Sequence, residues 1–342
     1  MIDYKEYYND NHNAKVIADD QKKLQLQYYE NEKNTYMTFY HVFEGIDVVY
    51  NLMNMERCLD PEYDEYSENV LEINHCRQGR FHCALEDGRD LYLGVGEMEA
   101  NILGIKRKEA NFPLGFYEGV EILIDLPKAK KTLGGLFPNI VEQVFLLKDT
   151  LKQHGQTMLV KKIPEIEHIF NELYSVKDEI KIEYMRIKVL ELLTVIQVYP
   201  FEDNQKEQIY FSRQDLDKVK SIHKELIAHL DQKITLEDMA NKYHISSTQL
   251  KKCFKEVYGM PYYTYVKHYK MHRAVHYLEE TNHSITTIAG LLGYDNPSKF
   301  ISAFKSIIHY TPNEYRKHNV HLEHLNLFGV ELNDEIHKID VR

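Results

Sequence analysis

Residues 234–255 read ITLEDMANKYHISSTQLKKCFK, and residues 285–305 read ITTIAGLLGYDNPSKFISAFK. In each stretch, apolar residues recur every three or four positions on both sides of a break, which predicts a short helix, a tight turn and a second helix. The second stretch repeats the first, since residues 287–289 align with residues 238–240. A helix-turn-helix that occurs twice in one chain is typical of a protein that reads duplex DNA.

The second helix of each stretch has an outward face that suits a DNA groove. Hydroxyl groups near its start can bond base edges, and lysines further along can reach guanine acceptors or phosphates. A single such face would more simply be a solvated one, but the second copy favours DNA. We expect contacts from Ser247, Thr248, Lys251, Lys252 and Lys255 in the first helix, and from Pro297, Ser298, Lys299, Ile301, Ser302 and Lys305 in the second.

Further predicted helices complete this module. Residues 215–230 form a leading helix, residues 261–280 join the two motifs at a fixed separation, and residues 311–316 close the module. Thr235 is a predicted N-cap, with Asp238 completing a variant of the capping box. We assign residues 211–320 to one all-α DNA-binding domain with two helix-turn-helix motifs.

The charge of the chain is unevenly distributed. The whole chain has a formal net charge of −11, which is unusual for a DNA-binding protein. Residues 211–320, however, contain 16 Lys and Arg against 11 Asp and Glu, a net charge of +5. The remainder has a net charge of −16. This distribution fits one module that meets phosphate and another that does not, although chance remains the alternative.

Residues 288–305, followed by Thr311-Pro-Asn-Glu-Tyr-Arg316, resemble the signature of AraC/XylS-type transcription regulators. The resemblance covers residues 215–318 and implies two recognition helices in successive major-groove segments on one face of the duplex. His244 and His309 stand where that family usually has glycine, and Lys270 and Ser302 where arginine is common. The second helix is therefore poor in bidentate donors. By residue matching, the resemblance places contacts at Thr248, Lys251, Lys252, Pro297, Ser298, Lys299, Ile301 and Ser302.

The N-terminal part has a different pattern. Residues 1–35 are polar and predict a loose leader with one short helix around residues 20–29. Residues 36–130 contain many short β-rich runs between turn signals, which predicts a sandwich or small barrel. Residues 72–83 and 92–98 resemble the cupin-like sensor barrels of bacterial one-component regulators. A small barrel can enclose one small effector.

One hairpin in this region suggests a pair of ligands. If Gln78-Gly79 is a two-residue turn, His75 faces His82 across the hairpin. Ordinary cross-strand neighbours are the simpler interpretation, because no third ligand follows at a suitable spacing. The resemblance also lacks the His-x-His…Glu pattern of catalytic cupins. We therefore predict no metal site, no cofactor and no catalytic residue.

Residues 131–200 predict helices at 140–152, 164–174 and 180–198. The last of these carries two apolar stripes, and we expect one stripe to pack on the barrel and the other to meet a partner helix in a homodimer. The alternative is that both stripes are buried in one subunit. Residues 201–210 read as a linker and residues 321–342 as a tail. The predicted dimerisation stripe is Ile182, Met185, Val189, Leu192 and Ile196, at the spacing of a coiled-coil seam.

These features predict an α+β multidomain protein, with a cupin-like β-barrel and helical dimerisation segment followed by the all-α domain. We expect a cytoplasmic transcription regulator, not an enzyme, because the start of the chain is no secretory signal and no apolar run is long enough for a membrane. Its expected partners are double-stranded promoter DNA, RNA polymerase and a small effector. The alternatives are control by protein partners without an effector, and a metal-dependent cupin enzyme.

Overall fold

The computed structural model describes residues 14–20, 22–28, 35–56, 68–199 and 211–318. The chain divides into two units, Met1–Tyr210 and Phe211–Arg342. The predicted linker at 201–210 and the predicted tail at 321–342 lie outside the described residues. The first unit contains strands and helices, whereas the described part of the second unit is helical.

Antiparallel strands form the framework of the first unit. Within its described residues they make an eight-stranded sheet in the order β1-β2-β3-β4-β10-β5-β8-β11 and a three-stranded sheet in the order β7-β6-β9. The strands are β1 (Ala14–Asp19), β2 (Lys23–Tyr28), β3 (Tyr36–Phe43), β4 (Ile46–Met53), β5 (Val70–Gly79), β6 (Phe81–Leu85), β7 (Asp90–Leu93), β8 (Met98–Ile102), β9 (Arg107–Asn111), β10 (Tyr117–Asp125) and β11 (Thr157–Val160). A sheet-rich N-terminal unit is thereby confirmed.

The two sheets pack face to face around one cluster of buried residues, which we call the inter-sheet core. Phe81 of β6 contributes from the small sheet, and its ring centroid lies 6.2 Å from that of Tyr117 on β10. Side chains alternate between the two faces along a strand, so neighbours of these residues point the other way. The opposite face of the large sheet is covered by helices in a second apolar cluster.

The predicted helix around residues 20–29 is wrong. Residues 14–19 and 23–28 are paired strands, and Asp20 forms the turn by accepting from the backbone N of Lys22 and Lys23 at 2.7 and 2.8 Å. Leu24 and Leu26 are buried, whereas Gln25 between them and Lys23 and Gln27 on either side are half-buried. This alternation has the period of a strand, and it outweighs the polar composition of the segment.

The predicted hairpin at Gln78-Gly79 is also wrong. β5 pairs with β8 and β10, and β6 pairs with β7 and β9, so His75 and His82 lie in different sheets. His75 stacks on Phe170 at 4.2 Å between ring centroids, and burial lowers its pKa to about 3. His82 Nε2 instead lies 2.6 Å from Asp90 Oδ1. The two histidines therefore form no shared ligand pair.

Helices cover the outer face of the large sheet. They are α1 (Leu126–Leu133), α2 (Pro138–Gln153), α3 (Pro164–Ser175) and α4 (Lys181–Val195). The structure bears out α2, α3 and α4 to within three residues at each end, whereas the sequence interpretation omitted α1 and β11.

The predicted dimerisation stripe on α4 lies inside its own subunit. Met185, Val189 and Leu192 are fully buried, Ile196 is 6% exposed and Ile182 is half-buried. All but Ile182 belong to the cluster between the helices and the large sheet. Side chains already buried in one subunit offer no surface to another, so the assignment of this stripe to a partner helix is corrected.

The described part of the second unit consists of helices close to the predicted ones. They are α5 (Arg213–Ala228), α6 (Leu236–Lys242), α7 (Ser247–Tyr258), α8 (Tyr262–Glu280), α9 (Ile285–Leu291), α10 (Pro297–Ile308) and α11 (Pro312–His318). α6 with α7, and α9 with α10, are two pairs of helices joined by short turns, at the positions of the two predicted motifs.

Two turns in this unit hold histidine in the left-handed region, where glycine is favoured. His244 has φ 51° between α6 and α7, and His309 has φ 65° after α10. The equivalent position after α7 is Gly259, with φ 76°. The carbonyl of His244 accepts from Lys218 Nζ at 2.9 Å, a contact that supports its turn.

We expect His309→Gly to stabilise the second unit by about 1 kcal/mol, because a side chain at positive φ costs roughly that much. Chemical denaturation monitored by circular dichroism measures the change. His276→Gly is the matched control: it places glycine inside α8 and should destabilise by about 1 kcal/mol. A loss of stability in His309→Gly would show that the histidine ring contributes more than its backbone costs.

Candidate nucleic-acid interface

Local hydrogen bonds fix the start of α6 and α7. Thr235 Oγ1 accepts from Asp238 N at 3.1 Å, and Asp238 Oδ2 accepts from Thr235 N at 3.1 Å, which is the predicted capping box. Ser246 Oγ accepts from Gln249 N at 3.1 Å at the start of α7. These side chains bond backbone N–H groups that lack partners within a helix. The helix α7 therefore begins where its sequence predicts.

The helix α7 has one buried and one exposed face. Leu250 and Phe254 are fully buried, and Val257 is 1% exposed. On the opposite side, Ser247 is half-buried at the start of the helix. The exposed predicted contact residues of α7 are Thr248, Lys251, Lys252 and Lys255. The polar face described by the sequence pattern is thus a surface of the folded unit.

The helix α10 repeats this arrangement. Asn296 Oδ1 accepts from Ser298 N at 2.8 Å, and Pro297 occupies the first turn. Phe300 and Phe304 are fully buried. Pro297 and Ile301 are half-buried, whereas the exposed predicted contact residues are Ser298, Lys299, Ser302 and Lys305. This face has two lysines where α7 has three.

A glycine sets the turn between α9 and α10. Gly293 has φ 70°, and a Cβ atom there would lie 2.6 Å from Asp231 O and 2.9 Å from Leu230 O. Both neighbours are backbone atoms, which cannot swing aside as a side chain can. The position of α10 against the end of the α5 region therefore depends on a residue without a side chain.

The helix α8 packs against both α7 and α10. Tyr262 and Tyr265 contact Phe254 of α7, with ring centroids 5.2 and 5.5 Å apart. Further along, Lys267 Nζ donates to Ser306 Oγ of α10 at 3.0 Å. Met271 belongs to the apolar cluster that holds α10. One continuous helix thus fixes the positions of two separate polar faces.

Two titratable groups near this scaffold are shielded from solvent. Burial lowers the pKa of Lys270, whose Nζ lies 5.7 Å from the centroid of the Tyr294 ring. Burial lowers the pKa of His223 to about 4, so this histidine is neutral at pH 7. Its Nε2 lies 2.6 Å from the hydroxyl of Tyr265. Lys270 and His223 therefore belong to the framework, and the positive face is formed by the exposed lysines of α7 and α10.

No metal centre competes with this surface in the part of the chain that the structure describes. Among those residues, no group of three or more His, Cys, Asp or Glu side chains is placed to hold a metal ion. Nor does any helix found there have the length and apolar character to cross a membrane.

Comparison with known protein families gives a match in the second unit. A family model described as a helix-turn-helix domain matches residues 239–318. Residues 239–318 form an AraC-type helix-turn-helix domain. This AraC-type domain contains α7, α8, α9 and α10, together with most of α6 and the closing helix α11.

Relatives of the AraC-type domain share its sequence over short spans. The HTH-type transcriptional regulator YtdP of Bacillus subtilis is 33% identical over 25% of this chain and 11% of its own length. The HTH-type transcriptional regulator YdeC of the same organism is 28% identical over 47% of this chain and 52% of its own. The chain therefore spans about half of the length of YdeC and 11% of the length of YtdP.

A solved structure is also similar to part of this chain. The C-terminal domain of AraT, a response regulator from Geobacillus stearothermophilus, is 26% identical, with a TM-score of 0.30. The match covers 36% of this chain and 99% of that one.

Proposed function

We propose that this chain is a sequence-specific DNA-binding transcription regulator. The observation that carries the proposal is the pair of capped reading helices on one scaffold, each with buried aromatic residues on one side and exposed hydroxyls and lysines on the other. Lysines supply phosphate and guanine contacts, and hydroxyls can bond base edges. The assignment of DNA contacts to the exposed residues of α7 and α10 is part of this proposal.

The proposal gives the two reading helices unequal roles. The helix α7 presents Lys251 and Lys252 beside Thr248, a set able to reach both bases and phosphates. The helix α10 presents Lys299 with hydroxyls and the half-buried Ile301, which suits a methyl contact with thymine. We therefore assign most of the base discrimination to α7 and a larger share of the positioning to α10.

The first unit is assigned a sensory role in this proposal. Its two packed sheets support a cupin-like domain that binds a small effector and shifts the population of DNA-binding conformations. A coupling free energy of about 1–3 kcal/mol is sufficient for a useful switch. Homodimerisation and contact with RNA polymerase complete the proposal. Control by protein partners remains the competing reading of the same unit.

A metal-dependent enzyme is less well supported. That alternative placed a metal on His75 and His82, which the structure puts in different sheets.

The DNA-binding proposal is tested by charge removal on each reading helix. We expect Lys252→Ala and Lys299→Ala each to weaken binding to the protein's own promoter by about 1–3 kcal/mol, since each removes one contact with DNA. A gel-shift titration at fixed salt measures the change. Lys224→Ala removes the same charge from an exposed position on α5 and should leave affinity nearly unchanged. If neither reading-helix variant differs from Lys224→Ala, the placement of the interface is wrong.

A further inference from the structure

An acidic cluster lies on the inter-sheet face of the large sheet, outside the surface assigned to DNA. Glu72 of β5 and Glu99 of β8 are 6% and 3% exposed, and Glu121 of β10 is half-buried. Register places the three strands side by side, with Asn74 opposite both Glu99 and Glu121. Because Leu123 on β10 belongs to the inter-sheet core, Glu121, two residues earlier, points to the same side. We call Glu72, Glu99 and Glu121 the carboxylate cluster.

One guanidinium group acts on the whole carboxylate cluster. Arg107 of β9 reaches across from the small sheet, and its Nη2 lies 3.5 Å from Glu72 Oε2. The same cation lowers the pKa of Glu99 and of Glu121, although burial raises both more strongly. Three carboxyl groups thus share one described cation. Burying an ionised carboxylate without a counter-charge costs several kcal/mol of desolvation free energy. Such a group is therefore either protonated or paired with a cation.

Neighbouring side chains donate to two of the three carboxyl groups. Thr157 Oγ1 donates to Glu99 Oε1 at 2.8 Å, and Asn101, with its amide oriented to satisfy both atoms, donates to Glu72 Oε2 at 3.1 Å.

An independent observation comes from Asn51 of β4. Its side chain is 3% exposed and hydrogen bonds Glu121, yet its Oδ1 has no partner. A buried acceptor without a donor carries a desolvation cost, and a ligand with an N–H group would remove it.

The arrangement excludes several ligand classes. An anion would meet mostly acceptor oxygens in this cluster, so it would gain few hydrogen bonds there. No described set of three acidic, histidine or cysteine side chains converges closely enough to hold a metal ion, so these carboxyl groups do not share one atom-sized cation. A cation with several N–H donors fits this cluster better: either a guanidine, whose charge is delocalised, or a diamine, which has two charges.

We propose that the carboxylate cluster and Asn51 bind a small organic cation, an amine or guanidine, between the two sheets. This inference rests on the proposed function, because it names the chemical class of the effector. Of the three residues, Glu121 is the most exposed. Glu72 and Glu99 lie deeper and receive the remaining donors.

Binding of this kind has a proton signature. Burial, followed by the nearby Glu72 carboxylate, raises the pKa of Glu121 to about 8, so Glu121 holds a proton at pH 7 in the empty protein. A bound cation favours the ionised carboxylate. Binding should therefore release roughly one proton per ligand at pH 7. A neutral polyol that uses the same acceptors has no such requirement.

The test is isothermal titration calorimetry of the full chain with methylguanidine, 1,4-diaminobutane and agmatine, and with xylitol as a neutral polyol. Each cation is titrated at pH 7 in phosphate and in MOPS, two buffers without a primary amine, since the difference in heat reports proton release. We expect at least one cation to bind with proton release, and xylitol not to bind. Glu121→Gln should lower the affinity for that cation by about tenfold or more and abolish the proton release, because it removes a charged acceptor.

Glu118→Gln is the matched control, because Glu118 lies on the same strand but is ion-paired with Arg77 at 2.7 Å. The affinity of Glu118→Gln for the cation should equal that of the unmodified chain. Asn51→Ala is a second variant and should weaken binding without removing proton release. The inference is overturned if none of the three cations binds, if xylitol binds instead, or if Glu121→Gln binds as tightly as Glu118→Gln.

Promoter binding is measured separately in the absence of cation. If the chain does not bind its promoter, the proposed regulatory function is wrong, but the calorimetric result on cation binding still holds. Cation binding without any effect on a functional promoter complex would instead show that the site is not an effector site.

Discussion

Phe254→Ala is expected to destabilise the first helix-turn-helix by about 3–5 kcal/mol. The Phe254 ring is fully buried in α7, and its centroid lies 4.6 Å from that of Tyr258 and 5.2 Å from that of Tyr262. Alanine removes the apolar contacts and leaves a cavity that the surrounding rings cannot easily fill, because those rings are themselves closely packed. The free energy of unfolding of a whole domain is about 5–15 kcal/mol, so this loss is a large fraction of it.

Native-state hydrogen exchange measures this effect where it occurs. Amides of residues 247–258 should exchange faster in Phe254→Ala, by an amount that corresponds to the lost free energy. Leu291→Ala is the control, since Leu291 is 41% exposed and should change exchange little. Equal protection in the two variants would mean that α7 is not held by the packing of Phe254.

Gly293→Ala is expected to destabilise the second helix-turn-helix by about 2–4 kcal/mol. The added Cβ would meet the backbone oxygen of Asp231 at 2.6 Å, and alanine is also strained at φ 70°. Relief requires α10 to move away from the chain that precedes α6. We therefore expect weaker promoter binding in addition to lower stability.

Gly290→Ala is the matched control for that substitution. Gly290 lies inside α9, and a Cβ atom there would have no neighbour within 4 Å. Alanine should stabilise this helix by about 0.5–1 kcal/mol. Thermal unfolding should show a lower Tm for Gly293→Ala and a higher Tm for Gly290→Ala if the turn geometry is as described. Two changes of the same sign would contradict it.

Sequence alone predicted the helices of the second unit well, for a local reason. Thr235, Ser246 and Gly259 define helix ends through bonds within a few residues, so neighbouring sequence contains the necessary information. The faces of α7 and α10 were predictable for the same reason, because helical spacing separates buried from exposed positions.

Strand pairing in the first unit depends on distant residues, and local signals misled there. Gly79 looks like a hairpin turn, but it ends β5 beside β10, where an added Cβ would lie 2.2 Å from Phe116 O. The apolar stripe on α4 was ambiguous, since a buried stripe and a dimer seam have the same spacing. Glu72, Glu99 and Glu121 gave no signal, because a glutamate within a strand ordinarily marks the solvent face.

The single helix α8 has a consequence for the length of the DNA target. It comprises 19 residues, and at 1.5 Å per residue it is about 28 Å long. A rod of that kind, packed on both reading helices, cannot stretch or twist as a flexible tether does. One extra base pair between the two contact sites would turn them by about 34° relative to each other. Under the proposed function, the DNA sites of this protein should therefore share one spacing, even where their base sequences differ.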